Sequence, residues 1–257
     1  MEPRFSAIFV VGVLGAMLGS FLNVWIHRLP RGESIVFPRS RCPSCGALIR
    51  WYDNVPILSF FWLRGRCRDC RAPISLQYPL VEAAFALLTV AVFLLAGPGL
   101  DFPVNLCLIF VLTGIAITDL RTYTIPDLFS LGGLAAGLAL SFLPGGITPL
   151  QSLIGLLIGG GSLYLVALAG EWIFKKEAMG GGDVKMLAMI GAFLGWPGVL
   201  FTLFVGSLAG SLVYGTVNYI FRIKKLVPLG LFLALGAGVY VFAGQRIILW
   251  YLSFFRL

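Results

Sequence analysis

The sequence predicts an all-α polytopic membrane protein of about eight transmembrane helices with one small cytoplasmic four-cysteine, zinc-ribbon-like loop. Three observations predict it. Mean hydropathy is +0.95, with 59% hydrophobic and only 12% charged residues, a composition foreign to soluble domains. Several apolar runs reach or approach the ~20 residues needed to cross a bilayer. The formal charge of +8 sits mostly in loops between those runs, where the positive-inside rule uses it.

Residues 5–26 form the first span, Gly-rich and free of charge, followed at once by His27, Arg28 and Arg31. It lacks the basic leader region and small-residue cleavage site of a signal peptide and reads as a retained helix. Its basic C-terminal flank puts the N-terminus outside. Residues 28–75 are the one long polar segment, with Arg28, Arg31, Arg39, Arg41, Arg50, Arg64, Arg66, Arg68 and Arg71 against Glu33, Asp53 and Asp69. This bias places the loop in the cytoplasm, where most of its arginines fix topology and touch anionic membrane lipid. A nucleic-acid role for so basic a ribbon is set aside. The loop is tethered to the membrane at both ends, and Trp51, Tyr52, Phe60, Phe61 and Trp62 read as a loop core or an interfacial belt.

Further spans are expected at 76–96, 102–118, 128–143, 150–174, 184–195, 199–221 and 229–250. Gly97-Pro98-Gly99, Pro144-Gly145-Gly146 and Trp196-Pro197-Gly198 separate them on one side, and charged loops on the other. With the N-terminus outside, every cation except Arg4, Arg246 and Arg256 falls in a cytoplasmic loop, and both ends lie outside. The domain organisation expected is a first helix (1–27), a cytoplasmic zinc-binding domain (28–75) and a seven-helix core (76–257). Residues 183–195 rise only about 20 Å against a hydrocarbon core of about 30 Å. So short a span is expected to thin the bilayer, or to begin below the headgroups with unwound backbone lining a wet cavity.

Cys42-Pro-Ser-Cys45 and Cys67-Arg-Asp-Cys70 give two C-x-x-C pairs, the spacing of a tetrahedral zinc site closed by four thiolates. Disulfides compete, but the arginine bias puts these thiols in a reducing compartment. A site closed by four cysteines has no open position, so the metal holds the loop together and does no chemistry. Cys107, alone within the third span, is a small hydrophobe.

Two carboxylates stand at span ends. Asp183 closes the run Gly180-Gly181-Gly182-Asp183-Val184-Lys185, which contains a G-x-G-D pattern and equally suits an N-cap for a helix beginning at Val184. Asp119 closes the third span at the same cytoplasmic level. Two carboxylates at one membrane depth can share a proton, one ionised to activate water and the other protonated to donate to a carbonyl. Asp127, directly after Pro126, reads as a helix cap. Glu82, Glu171 and Glu177 flank helix ends, where a solvated or dipole role is the default. No serine or cysteine has the partners of a nucleophile, His27 reads as a hydrogen-bonded flank residue, and no phosphate-binding or dinucleotide-binding glycine loop is present.

These residues resemble the type IV prepilin peptidases, bifunctional leader peptidases and N-methyltransferases. Gly19-Ser20-Phe21-Leu22-Asn23-Val24 through His27-Arg28-Leu29-Pro30 is similar to the family's N-terminal signature. Ser40 to Cys45, Trp51-Tyr52-Asp53-Asn54-Val55-Pro56 and Leu63 to Cys70 resemble its zinc-bearing domain. Asp119 with Ile125-Pro126-Asp127, and Gly180 to Lys185, match its two aspartate motifs. Val227-Pro228-Leu229-Gly230 through Leu233-Ala234 matches its C-terminal motif, with Leu231 where a proline is usual and no chemistry expected there.

The resemblance implies an aspartyl intramembrane protease of the bacterial inner membrane, with Asp119 and Asp183 catalytic and Gly180, Gly182, Lys185 and Asp127 in the active-site loops. Its substrates are prepilins or pseudopilins, cut after the Gly that ends a basic leader and then N-methylated from S-adenosylmethionine. Trp51, Tyr52, Asp53 and Gly65 are expected near the methyl donor, with packing around the zinc ribbon as the competing role. A non-catalytic zinc-ribbon scaffold would explain the cysteines and arginines but not two carboxylates at one depth. A transporter would place them mid-membrane. The sequence carries no signal of oligomeric state.

Overall fold

The computed structural model describes residues 2–175, 179–221 and 227–254. Lys176, Glu177, Arg222, Lys224, Lys225 and Arg256, and the side chain of Arg4, which entered the charge argument, lie outside the described residues. The fold is all-helical, with no strand among the described residues beyond two isolated bridges. It divides into two compact units, Met1–Pro98 and Gly99–Leu257.

The first unit contains α1 (Glu2–Arg28), the single-turn α2 (Leu58–Trp62) and α3 (Gln77–Ala96). Helices in lipid gain no hydrophobic drive toward one another and associate where small residues let backbones approach. Gly15 and Gly19 provide that face on α1. A side chain on Gly15 would fall 2.8 Å from the Ala86 backbone, and one on Gly19 2.8 Å from that of Glu82. Glu82 is therefore not the solvated flank residue expected. It is 7% exposed, and its Oε2 accepts the Ile57 N–H at 2.7 Å. A buried carboxylate persists only with such partners, and this one ties the loop back to the helix pair. His27 stacks on Tyr78 with ring centroids 5.3 Å apart.

The second unit contains α4 (Asp101–Thr122), α5 (Asp127–Leu140), α6 (Pro149–Phe174), α7 (Gly181–Phe221), α8 (Leu229–Val239) and α9 (Gln245–Ser253), the last two joined by one π turn. Thr148 and Gln151 form a capping box that starts α6, with Pro149 in its first turn. The centre is α7, where Met186, Leu187, Met189 and Ile190 are fully buried. α6 meets it backbone to backbone: a side chain on Gly155 would strike the Gly191 carbonyl, and Ser152 Oγ donates to the Ala192 carbonyl at 2.6 Å. Gly155→Val is expected to cost about 3 kcal/mol by prying these helices apart. Gly161→Val, with nothing within 4 Å of the added carbon, is expected to be near neutral. Thermal unfolding of the two variants in one detergent checks this.

Among the described residues six helices are long and apolar enough to cross a membrane, against the eight expected. The difference lies in two places. α5 spans only 14 residues. The segments expected at 184–195 and 199–221 are two helices, as expected, but they join directly at Gly195 (φ 68°, ψ −178°) with Pro197 just beyond, and so form one uninterrupted 41-residue run. Glycine alone takes that conformation without strain, so the break is encoded, and it ends one helix and starts the next: Gly191 packs on Gly155 of α6 before it, and Gly198 and Gly206 pack on Tyr240 and Phe232 after it. α7 also begins at Gly181, earlier than expected. Asp183 therefore rides inside the first turn and is not its N-cap, and the glycines at 181 and 182 are helical, not unwound.

Candidate functional site

Two sites emerge, one in each unit. In the first, the cysteine pairs form two equivalent knuckles. The Cys42 N–H donates to the Ala47 carbonyl at 2.9 Å and the Cys67 N–H to that of Ala72 at 2.8 Å. Gly46 and Arg71 close the turns by donating back to Cys42 and Cys67. Both closing residues have positive φ, 73° and 62°. The knuckles bring the four Sγ atoms within 4.8 Å of one another, the one such cluster among the described residues. Four thiolates at that mutual spacing suit a tetrahedral zinc ion with Zn–S near 2.3 Å. The Cys45 backbone N–H holds the Cys42 thiol down to about 7, while the clustered thiols hold Cys45 up at about 12 against the Ala47 amide, so without a metal the negative charge sits first on Cys42.

Around this centre, Arg68 makes a bidentate pair with Asp53, Nε to Oδ2 at 2.8 Å, and holds that carboxyl below its usual range. Arg68 also lies 5.4 Å from the Tyr52 ring centroid, and Arg50 donates to the Tyr52 hydroxyl at 2.7 Å. Gly65 turns the chain at φ 66°, and a side chain there would fall 3.0 Å from the Phe60 ring. Of the four residues expected near the methyl donor, Tyr52, Asp53 and Gly65 are thus engaged in holding the ribbon. Trp51, 77% exposed, meets the Tyr52 ring edge-on with centroids 5.5 Å apart.

The second unit gathers three motifs that are far apart in sequence. Asp119, on the last turns of α4, is 5% exposed, and its Oδ2 accepts the Leu231 N–H at 3.0 Å. The Gly230 amide also hydrogen-bonds it. These are first-turn amides of α8, which have no partner within their own helix and so are free to hold a carboxylate. The C-terminal motif, assigned no chemistry from the sequence, therefore orients one of the two aspartates. A proline at 231 would lack the donor, and leucine supplies it.

Ile125 fills the space between the two glycine-bearing helix starts. A carbon added to Gly182 would lie 3.1 Å from its Cβ, and one added to Gly230 2.9 Å from its Cδ1. Asp183, half-buried on the first turn of α7, lies within electrostatic reach of Asp119. Asp127 makes no cap hydrogen bond. Its Oδ1 pairs with Lys185 Nζ at 2.6 Å, joining the starts of α5 and α7. The pair is exposed, so it contributes registration more than stability, at most about 1 kcal/mol. Gly180 precedes the helix, its carbonyl accepting the Asp183 N–H at 3.2 Å. Two carboxylates within electrostatic reach of each other, one of them fixed by amides, suit holding and activating a water against a carbonyl carbon.

Gly230→Ala probes this arrangement, because the added carbon would sit 3.0 Å from Asp119 Oδ2. With Asp119 in the role the resemblance implies, its displacement by that clash is expected to lower turnover about 10- to 100-fold with little change in KM. Steady-state peptide cleavage by the purified variant checks it.

Residues 13–96 match the Bacterial Peptidase A24 N-terminal domain, and residues 106–215 match the Type IV leader peptidase family. A prepilin leader peptidase/N-methyltransferase of Aeromonas hydrophila is 38% identical over 98% of this chain and 94% of its own length. One from Pseudomonas putida is 34% identical over 96% and 94%, and one from Myxococcus xanthus 42% identical over 80% and 62%. No solved structure matches.

Proposed function

Because this chain belongs to the type IV leader peptidase family, we propose that Asp119 and Asp183 hydrolyse the leader junction of prepilins and pseudopilins, and that the first unit then methylates the new N-terminus. The chain is a multi-pass membrane enzyme of prepilin-peptidase type with both peptidase and N-methyltransferase activities. Zinc and S-adenosylmethionine are its cofactors. The observation that carries the peptidase assignment is the meeting of Asp119, Asp183 and the α8 amides around Ile125.

In hydrolysis one carboxylate accepts a proton from water as the oxygen attacks the scissile carbonyl carbon, and the other carboxyl donates to the carbonyl oxygen. Collapse of the tetrahedral intermediate breaks the C–N bond, and the departing amine takes up the proton. The pair titrates as a unit, so neither residue is a permanent acid or base. The active site lies at the cytoplasmic face of the inner membrane with both chain ends outside, as the arginine distribution supports. There a substrate helix stays in lipid while its basic leader stays in water, and the polar junction is where backbone opens most easily for attack.

Zinc in the four-cysteine site supplies no open coordination position. Its role is to hold the two knuckles, and through them the loop, in one arrangement. Cys42, Cys45, Cys67 and Cys70 would bind it. The scaffold reading leaves the amide-held Asp119 unexplained.

The test is expression in a bacterial strain lacking its own prepilin peptidase, with mass spectrometry of a pilin. Removal of the leader and a gain of one methyl group on the new N-terminus is the expected result. An intact leader in membranes that contain the folded protein would refute the peptidase assignment.

A further inference from the structure

We propose that S-adenosylmethionine seats in a cavity at the polar end of α1, held by Trp51, Asn54, Arg39 and Ser40. The inference rests on the methyltransferase reading and gives that activity its binding site. The cavity encloses about 430 Å³, within the ~300–1,000 Å³ of small-molecule sites. Phe21 and Val24 of α1 line one side, and the four loop residues line the other.

The turn at 51–54 decides which side chains face it. Trp51–Asn54 is a 3₁₀ helix, in which residues i and i+3 eclipse. Trp51 and Asn54 therefore share a side and both line the cavity, while Tyr52 and Asp53 turn toward Arg50 and Arg68 at the ribbon. One short turn thus divides the Trp-Tyr-Asp-Asn motif into a ligand-facing pair and a ribbon-facing pair.

The walls are held independently of any ligand. Arg28 donates to the Ser34 carbonyl at 2.9 Å and the Pro38 carbonyl at 2.7 Å, fixing the segment that carries Arg39 and Ser40. Buried Glu82 accepts the Ile57 N–H, next to the cavity-lining Pro56, and is hydrogen-bonded by Ser20 of α1, another lining residue. With Arg28 engaged by two loop carbonyls, the lining side chains that face a ligand include Arg39, Ser40, Asn54 and Trp51. The first three make no side-chain hydrogen bond among the described residues.

That set suits this cofactor. A guanidinium pairs with the amino-acid carboxylate, an indole face attracts the sulfonium cation, and an amide and a hydroxyl match the ribose and adenine edges. Bound there, the cofactor supplies a methyl group to a neutral amine. The nitrogen lone pair forms the N–C bond as the C–S electrons return to sulfur, and the extra proton leaves to water. Phe21 and Val24 belong to a membrane-spanning helix, so a pilin N-terminus reaches this side without its helix leaving the lipid.

The experiment is calorimetric titration of S-adenosylmethionine into zinc-loaded, full-length protein in nanodiscs, with zinc content as the fold check. Trp51→Ala and Asn54→Ala are expected to weaken binding 10-fold or more with zinc retained. Arg31→Gln, exposed and outside the cavity lining, is expected to bind as wild type. Ultraviolet cross-linking of labelled cofactor is expected to mark the peptide that contains Trp51. Wild-type affinity in both cavity variants overturns the proposal, as does a cross-link elsewhere. Unchanged cofactor affinity together with loss of co-purifying phosphatidylglycerol in Arg39→Gln makes the cavity a lipid headgroup site and overturns it equally. A wild type that cleaves prepilin but binds no cofactor removes the methyltransferase reading itself, and the proposal with it.

Discussion

Asp119→Asn and Asp183→Asn should each reduce prepilin cleavage on the order of 10³-fold while leaving the protein folded and zinc-loaded. Asparagine matches aspartate in shape and still accepts the Leu231 and Gly230 amides through its oxygen, so the α4–α8 contact survives the change. What disappears is the proton traffic. An amide neither accepts a proton from water nor delivers one to a carbonyl oxygen at neutral pH. Asp127→Asn is the informative comparison, since it weakens only the exposed pair with Lys185 and should retain most cleavage. Equal loss in all three variants would make the ion pair part of the chemistry.

Removal of the metal should produce the second large effect. Chelation, or Cys45→Ser, is expected to expose the loop to limited proteolysis and reduce N-methylation 100-fold or more, with cleavage falling less than about 10-fold. Binding of structural zinc contributes about 10–16 kcal/mol in small zinc domains. This loop has no comparable apolar core of its own, with Trp51, Phe61 and Trp62 at 77%, 70% and 82% exposure. Asp119 and Asp183 lie on helices of the other unit, so their chemistry should outlast the ribbon. Parallel assays of both activities on one chelated sample check this. Unaffected methylation would contradict the structural role of zinc.

The cysteine cluster and the family were legible because their motifs need particular residue types at short spacing. Two C-x-x-C pairs and an aspartate after glycines state their purpose locally. What was not legible depends on contacts between distant segments. The α8 amides that hold Asp119 belong to backbone, so no side chain at 230 or 231 announces them. The one available signal was Pro228, a residue suited to a helix start that points the following N–H groups outward. Glu82 was misjudged because a carboxylate near a helix end is usually wet, and only the α1–α3 packing reveals that Ile57 covers it.

The knuckle equivalence was present in the sequence and went unread. Arg41, Cys42, Cys45, Ala47 and Ile49 repeat as Arg66, Cys67, Cys70, Ala72 and Ile74, and the Ile49 and Ile74 amides close matching turns onto Ser40 and Gly65. The helical break at Gly195 was also signalled, by Trp196-Pro197-Gly198. The two spans expected there stand as two helices, joined at that residue without an intervening loop.

The measurement that bears most directly on the Asp119–Asp183 pair is single-turnover cleavage by the two asparagine variants and by the double variant. Residues that act as one unit give grossly non-additive losses. The account predicts that Asp119→Asn/Asp183→Asn is no slower than either single variant, all three sharing the same residual rate. Single variants that keep a tenth or more of wild-type turnover, with losses that multiply in the double variant, would contradict it.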